Sequence, residues 1–138
     1  MEIILAEGAG EIGLAVMLQD LIVQNIEQNP HKLTDFKKLN IFIGLDVCDA
    51  AITLTLEFSG SALTIHPGIK GQAKLNIKAD SETVMNLSNQ KLKWGLPYYF
   101  DETGKEIMAA MKSGRLKVKG MLSHFPSLIR FSRVMSVH

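Results

Sequence analysis

Apolar residues in the first part of the chain recur every three to four positions. Leu14, Met17, Leu18, Leu21, Ile22 and Ile26 share one face, which predicts a helix over 11–26, ended by Asn29-Pro30. The period then switches to two. Ile41, Ile43, Leu45 and Val47 alternate with Phe42, Gly44 and Asp46, and Ile52, Leu54, Leu56 and Phe58 alternate with Thr53, Thr55 and Glu57. Leu63 and Ile65 are flanked by Thr64 and His66, and Ala73, Leu75, Ile77 and Ala79 alternate with Lys74, Asn76 and Lys78. Each run predicts a strand with one buried face. Short turns between the first three make them antiparallel neighbours.

The second half returns to helices. Asp80 is placed to cap a short helix carrying Val84 and Leu87, and a loop crowded with aromatics follows at 92–100, LKWGLPYYF. Thr103-x-x-Glu106 has the form of a capping box for a helix with Ile107, Met108 and Met111 on one side, stopped at Ser113-Gly114. Residues 115–119 predict a fifth strand with Leu116 and Val118 inward. At 100° per residue, Met121, Leu122, Phe125, Leu128, Ile129, Phe131 and Met135 fall on about half of a last helix. Ser123 would cap that helix, and Pro126 would then lie in its first turn. The pattern as a whole predicts an α+β fold: a five-stranded, mainly antiparallel sheet with helices packed on one face, one domain over 1–138.

Composition narrows the function classes. The chain has 138 residues, 46% of them hydrophobic and 21% charged, as expected of one soluble domain. A net charge of +1 carries no global argument for nucleic acid or a membrane surface. One cysteine, Cys48, excludes an internal disulfide framework and fits a reducing compartment. The opening MEIILAEGAG carries an acid where a secretory signal carries a base, so the cytoplasm is the expected location.

Gly8-Ala9-Gly10-Glu11-Ile12-Gly13 spells a dinucleotide fingerprint, but hairpins rather than alternating parallel strands and helices follow it. It reads as a flexible lead into the first helix, and no cofactor is expected. His31, His66, His124 and His138 lack ligand spacing, and turn chemistry accounts for Asp46, Cys48 and Asp49, so no metal site is expected. Cys48 with His66 is the one nucleophile–base pairing worth naming; it lacks an elbow sequence, and an enzyme is not expected. Lys74, Lys78, Arg115, Lys117 and Lys119 make the outer sheet face mildly basic. The alternative function is therefore a nucleic-acid or protein-binding module on that face. The missing stacking aromatics make a solvated face the better reading, with no nucleic acid as partner. Trp94, Leu96, Tyr98, Tyr99 and Phe100 crowd one loop, while Met108, Met111, Phe125, Phe131 and Met135 are assigned to the interior. Residue chemistry alone leaves core and ligand cavity open for these.

Asp80-Ser81-Glu82, the following helix, then Ser113-Gly114-Arg115-Leu116-Lys117-Val118-Lys119-Gly120 and an amphipathic helix resemble the sterol carrier protein 2 family. The resemblance covers about 11–137 and is strongest from 72 onward. It implies that family's α/β sandwich and a non-enzymatic intracellular carrier with an apolar tunnel between sheet and helices. Its partner would be a small-molecule lipid: fatty acid, acyl-CoA, sterol or quinone precursor. Transient membrane or enzyme contact and a homodimer are compatible with that role. By position the implied ligand-binding residues are Met108, Met111, Leu116, Val118, Phe125, Leu128, Phe131 and Met135; the apolar loop at 92–100, with Trp94 and Tyr98, is expected at the mouth on its own chemistry, not on the resemblance. The sequence departs from the family in a longer, more aromatic link at 90–103 and in lacking a peroxisomal ending, which favours a lipid other than sterol.

Overall fold

The alternating segments assemble into one sheet, and the helices cover its apolar face. The computed structural model describes residues 1–93, 96–97 and 100–138. In chain order its elements are β1 (Glu2–Leu5), α1 (Gly13–Gln28), α2 (Lys32–Lys38), β2 (Asn40–Val47), β3 (Ile52–Ser59), β4 (Ala62–Pro67) and β5 (Leu75–Ala79). Then come α3 (Ser81–Asn89), the two-residue ladder of β6 (Leu92–Lys93) and β7 (Leu96–Pro97), α4 (Glu102–Ser113), β8 (Leu116–Lys119) and α5 (Phe125–Met135).

Two features of the predicted sheet need correction. Among the described residues the main sheet has six strands, not five, in the order β1-β4-β3-β2-β5-β8. The additional strand is β1, whose Glu2-Ile3-Ile4-Leu5 is too short to show a period. It pairs parallel with β4 along the sheet edge. The sheet is also mixed: β2–β3, β3–β4 and β5–β8 are antiparallel, while β1–β4 and β2–β5 are parallel. The second parallel pair follows from the path of residues 68–74, which cross the outer face. Gly68 N–H donates to Thr53 O at 2.8 Å, Lys70 N–H to Thr55 Oγ1 at 3.0 Å and Lys74 N–H to Phe42 O at 3.0 Å. A connection that passes over two strands returns the chain beyond them in the direction of β2. Thr55, an outward residue, is buried beneath it and donates its own hydroxyl to Gly68 O at 2.8 Å.

Inward positions of the sheet meet the helices in one core. Ile43, Leu56, Phe58, Ile65 and Leu75 pack against Leu18 and Ile22 of α1, Phe36 of α2 and Phe131 of α5. Phe58 stands edge-on to both Phe36 and Phe131, with ring centroids 5.8 and 5.9 Å apart.

The caps are partly as expected. Asp80 Oδ1 accepts from Thr83 N–H at 2.8 Å, and hydrogen bonds from Thr83 hold this carboxyl below the usual carboxylate range. The cap of α4 is Asp101, which accepts from Gly104 N–H at 2.7 Å, not Thr103. Residues 121–124 form turns, so α5 begins at Phe125 with no side-chain cap, and Leu122 projects into solvent.

The opposite end of α5 is tied down by buried polar groups. The last carbonyls of a helix have no partner within it. Here Asn25 Nδ2 donates to Val134 O and Met135 O at 2.9 and 3.0 Å, and Lys32 Nζ donates to Arg133 O at 2.8 Å and to Ser136 O. Arg133 pairs with Asp35 at 3.0 Å. Lys32 is only 1% exposed, and burial holds its ammonium below the usual lysine range, opposed in part by Asp35. Lys32→Met is expected to cost about 2–4 kcal/mol, because it orphans buried carbonyls. The deficit should widen at alkaline pH: the unfolded chain keeps this proton up to the ordinary value of 10.5, the folded chain sheds it earlier, and wild-type stability therefore rises through that window relative to the variant. Urea titrations of both proteins from neutral pH toward 10.5 check the sign.

Candidate functional site

Between the sheet and the helices lies a cavity of about 70 Å³. Its floor is the inward row of Leu45, Leu56, Ile77, Leu116 and Val118, supplied by β2, β3, β5 and β8. Leu18 of α1 and Val84 and Leu87 of α3 form the sides. The roof is α5, through Leu128, Phe131, Ser132 and Met135. The period-two strands and the 3.6-period helix each present one apolar stripe, and the cavity forms where those stripes face one another without touching. Two lining residues are polar. Ser132 turns its hydroxyl back to Leu128 O at 2.9 Å, and Gln90, at the end of α3, is buried.

Leu116, Val118, Leu128, Phe131 and Met135, all singled out in the sequence, are brought together in this wall. Three others are placed elsewhere. Met108 and Met111 are 38% and 36% exposed on the outer side of α4, and Phe125 is 50% exposed. The inward side of α4 consists of Gly104, Ile107 and Ala110, small enough at two of three positions to let the helix approach closely. Trp94 and Tyr98, expected at a mouth, lie outside the described residues. Leu18, Leu45, Leu56, Ile77, Val84 and Leu87 were legible as inward-facing but not as cavity wall, since periodicity says which face a residue takes and not whether its neighbour touches it.

A second concavity, an open groove of about 540 Å³, lies on the outer face. Asp46, Ile69, Asn76, Lys78, Lys117 and Lys119 line it, with Gly44 at its base. Lys78 and Lys117 stand directly opposite in the β5–β8 register. The lining includes no aromatic residue on which a base could stack.

The remaining motifs find structural roles. The glycines at 8–13 follow β1 directly, but β1 is an edge strand with a single neighbour, so the crevice between strands that a dinucleotide site requires does not form there. They are not simply a flexible lead, since Ala9–Glu11 forms a short 3-10 turn before α1. Cys48 lies beyond the end of β2, its thiol directed at Ala79 O at 3.5 Å, while His66 on β4 meets Glu57 Oε1 at 2.8 Å. By register the two are roughly 15 Å apart. Among the described residues no group of His, Cys, Asp or Glu could hold a metal ion. No helix among them is long and apolar enough to cross a membrane.

This arrangement, helices over one face of a mixed sheet with an apolar cavity between, is a sterol carrier protein 2-like fold. A solved structure of a ubiquinone synthesis protein, UbiJ-SCP2, superposes with a TM-score of 0.63 at 16% identity, covering 91% of this chain and 95% of that one. A crystal structure of sterol carrier protein 2 superposes with a TM-score of 0.51 at 15% identity, covering 84% of this chain and 88% of that one. No protein-family model and no curated protein matches the sequence.

Proposed function

We propose that the chain is a non-enzymatic lipid carrier that holds an elongated apolar ligand between the sheet and α5. The observation that carries this reading is the cavity wall itself: eleven of its thirteen described residues are hydrocarbon or thioether side chains, facing one another in a fold shared with a sterol carrier protein. Burying ligand surface there is favourable by about 25 cal/mol per Å², a term with no direction, so selectivity among tails is expected to be broad.

At about 70 Å³ the cavity has room for roughly two waters, far below the roughly 300–1,000 Å³ of a small-molecule site. A ligand must therefore enlarge it. The C-terminal end of α5 is held by Asn25 and Lys32, whereas its N-terminal end lacks a side-chain cap and carries the half-exposed Phe125. The roof is expected to lift from the Phe125 end, pivoting on the tied end.

Native mass spectrometry of the purified protein, before and after delipidation, tests the reading. Retained lipid, and rebinding of at least one of fatty acid, acyl-CoA, sterol or a polyprenylated aromatic, is the expected result. No bound mass with any of the four classes would overturn it.

A further inference from the structure

Among the described wall residues, Gln90 is the one with a buried side-chain atom that makes no hydrogen bond. It is 3% exposed, and its Nε2 is buried without a hydrogen-bond partner among the described residues. Such orphan donors are uncommon in folded proteins, because the group gives up water and receives nothing in return. The main chain keeps the residue in place: Gln90 O accepts from Ser136 Oγ at 2.6 Å, and Val137 N–H donates to Ser88 O at 2.9 Å beside it. The other polar residue of the described wall, Ser132, already spends its hydroxyl proton on Leu128 O. A water in the cavity would find too few partners to be held firmly, and so would be readily displaced.

We propose that Gln90 Nε2 is a ligand-recognition group, and that the ligand bears a neutral carbonyl oxygen, of a ketone or ester, at the point along its length where this amide meets the cavity. The proposal rests on the lipid-carrier reading above and specifies its chemistry. The ligand oxygen is taken as an acceptor because, of the two amide atoms, Nε2 is the one buried without a partner among the described residues. It is also neutral, because among the described residues no lysine, arginine or histidine lines the wall, and a carboxylate there would be buried without a counter-charge from them.

A matched sixteen-carbon series separates this from general lipid binding: the alkane, the methyl ketone, the primary alcohol and the fatty acid at neutral pH. Each is measured by displacement of the neutral fluorophore N-phenyl-1-naphthylamine. Wild-type protein is expected to bind the ketone about five- to tenfold more tightly than the alkane, the worth of one neutral hydrogen bond, and to bind the carboxylate least well. Gln90→Leu should bring the ketone down to the alkane while leaving alkane affinity equal or higher, and should melt no lower than wild type. Gln90→Met, unbranched and closer in length, should show the same loss of discrimination. An unchanged ketone-to-alkane ratio in both variants would overturn the role of Gln90 while leaving lipid binding intact. Failure of every member to bind wild-type protein would instead overturn the carrier reading, and this inference with it.

Discussion

Gly120→Ala is expected to lower the stability of the fold by about 4 kcal/mol, a large share of the roughly 5–15 kcal/mol available to a domain of this size. Gly120 ends β8 with φ +88°, and a Cβ built there would lie 2.0 Å from the carbonyl oxygen of Lys74. That oxygen cannot move aside, because Lys74 N–H is hydrogen-bonded to Phe42 O where the crossover meets β2. Gly114, at the other end of the same motif, is a useful contrast. It closes α4 in the left-handed conformation at φ +80°, but a Cβ there would meet only the flexible end of Lys117, at 3.7 Å. Gly114→Ala should therefore cost only about 1 kcal/mol. Urea denaturation of both variants checks the ordering: a large fall in midpoint for Gly120→Ala, a small one for Gly114→Ala, with unchanged slope in the second. Comparable losses for the two would show that the approach of Gly120 to Lys74 is not tight.

Leu128→Arg is expected to reduce lipid uptake by at least about a hundredfold. Leu128 is on the roof of the cavity, and an arginine there either places an unpaired charge among Leu, Val and Phe side chains or swings outward and opens the wall to water. Met108→Arg should leave uptake unchanged, because Met108 lies on the outer side of α4. The pair makes a sharp comparison. Both residues are apolar, both belong to helices with a strong apolar stripe, and the family resemblance implies a place in a ligand tunnel for both. Native mass spectrometry of the two variants, with circular dichroism to confirm folding, gives the result. Equal loss in both would place the ligand against α4 rather than under α5.

How much of this was legible beforehand depends on how local each determinant is. The three hairpin strands, their inward faces and the helix capped by Asp80 follow from alternation, short turns and one carboxylate placed three residues before the N–H it accepts from. All act within a few residues. The seven-residue helix α2 is not legible in the sequence because KLTDFKK is too short for a periodic signal, although it contributes both Phe36 to the core and Lys32 to the bonds that hold α5. Met108 and Met111 were misplaced for a different reason. Hydrophobicity points large apolar residues inward, but close approach of α4 to its neighbours selects Gly104 and Ala110 for that side. Gln90 carries no sequence signal at all: a glutamine after a helix is an ordinary exposed residue until a tail docks over it.

The sequence by itself determined the α+β class, the apolar faces of β2 to β5 and β8, and Leu128, Phe131 and Met135 as inward residues of the roof helix. Each is set by side-chain period and local backbone preference, which neighbours in the chain enforce. Tertiary structure decided the rest: the sixth strand, the two parallel pairings, the burial of Lys32 and Gln90, and the gap left between facing apolar stripes. Those depend on where the crossover at 68–74 runs and how closely helices approach the sheet, quantities that arise only when distant segments meet. A cavity is the absence of a contact between residues far apart in sequence, and no local pattern encodes it.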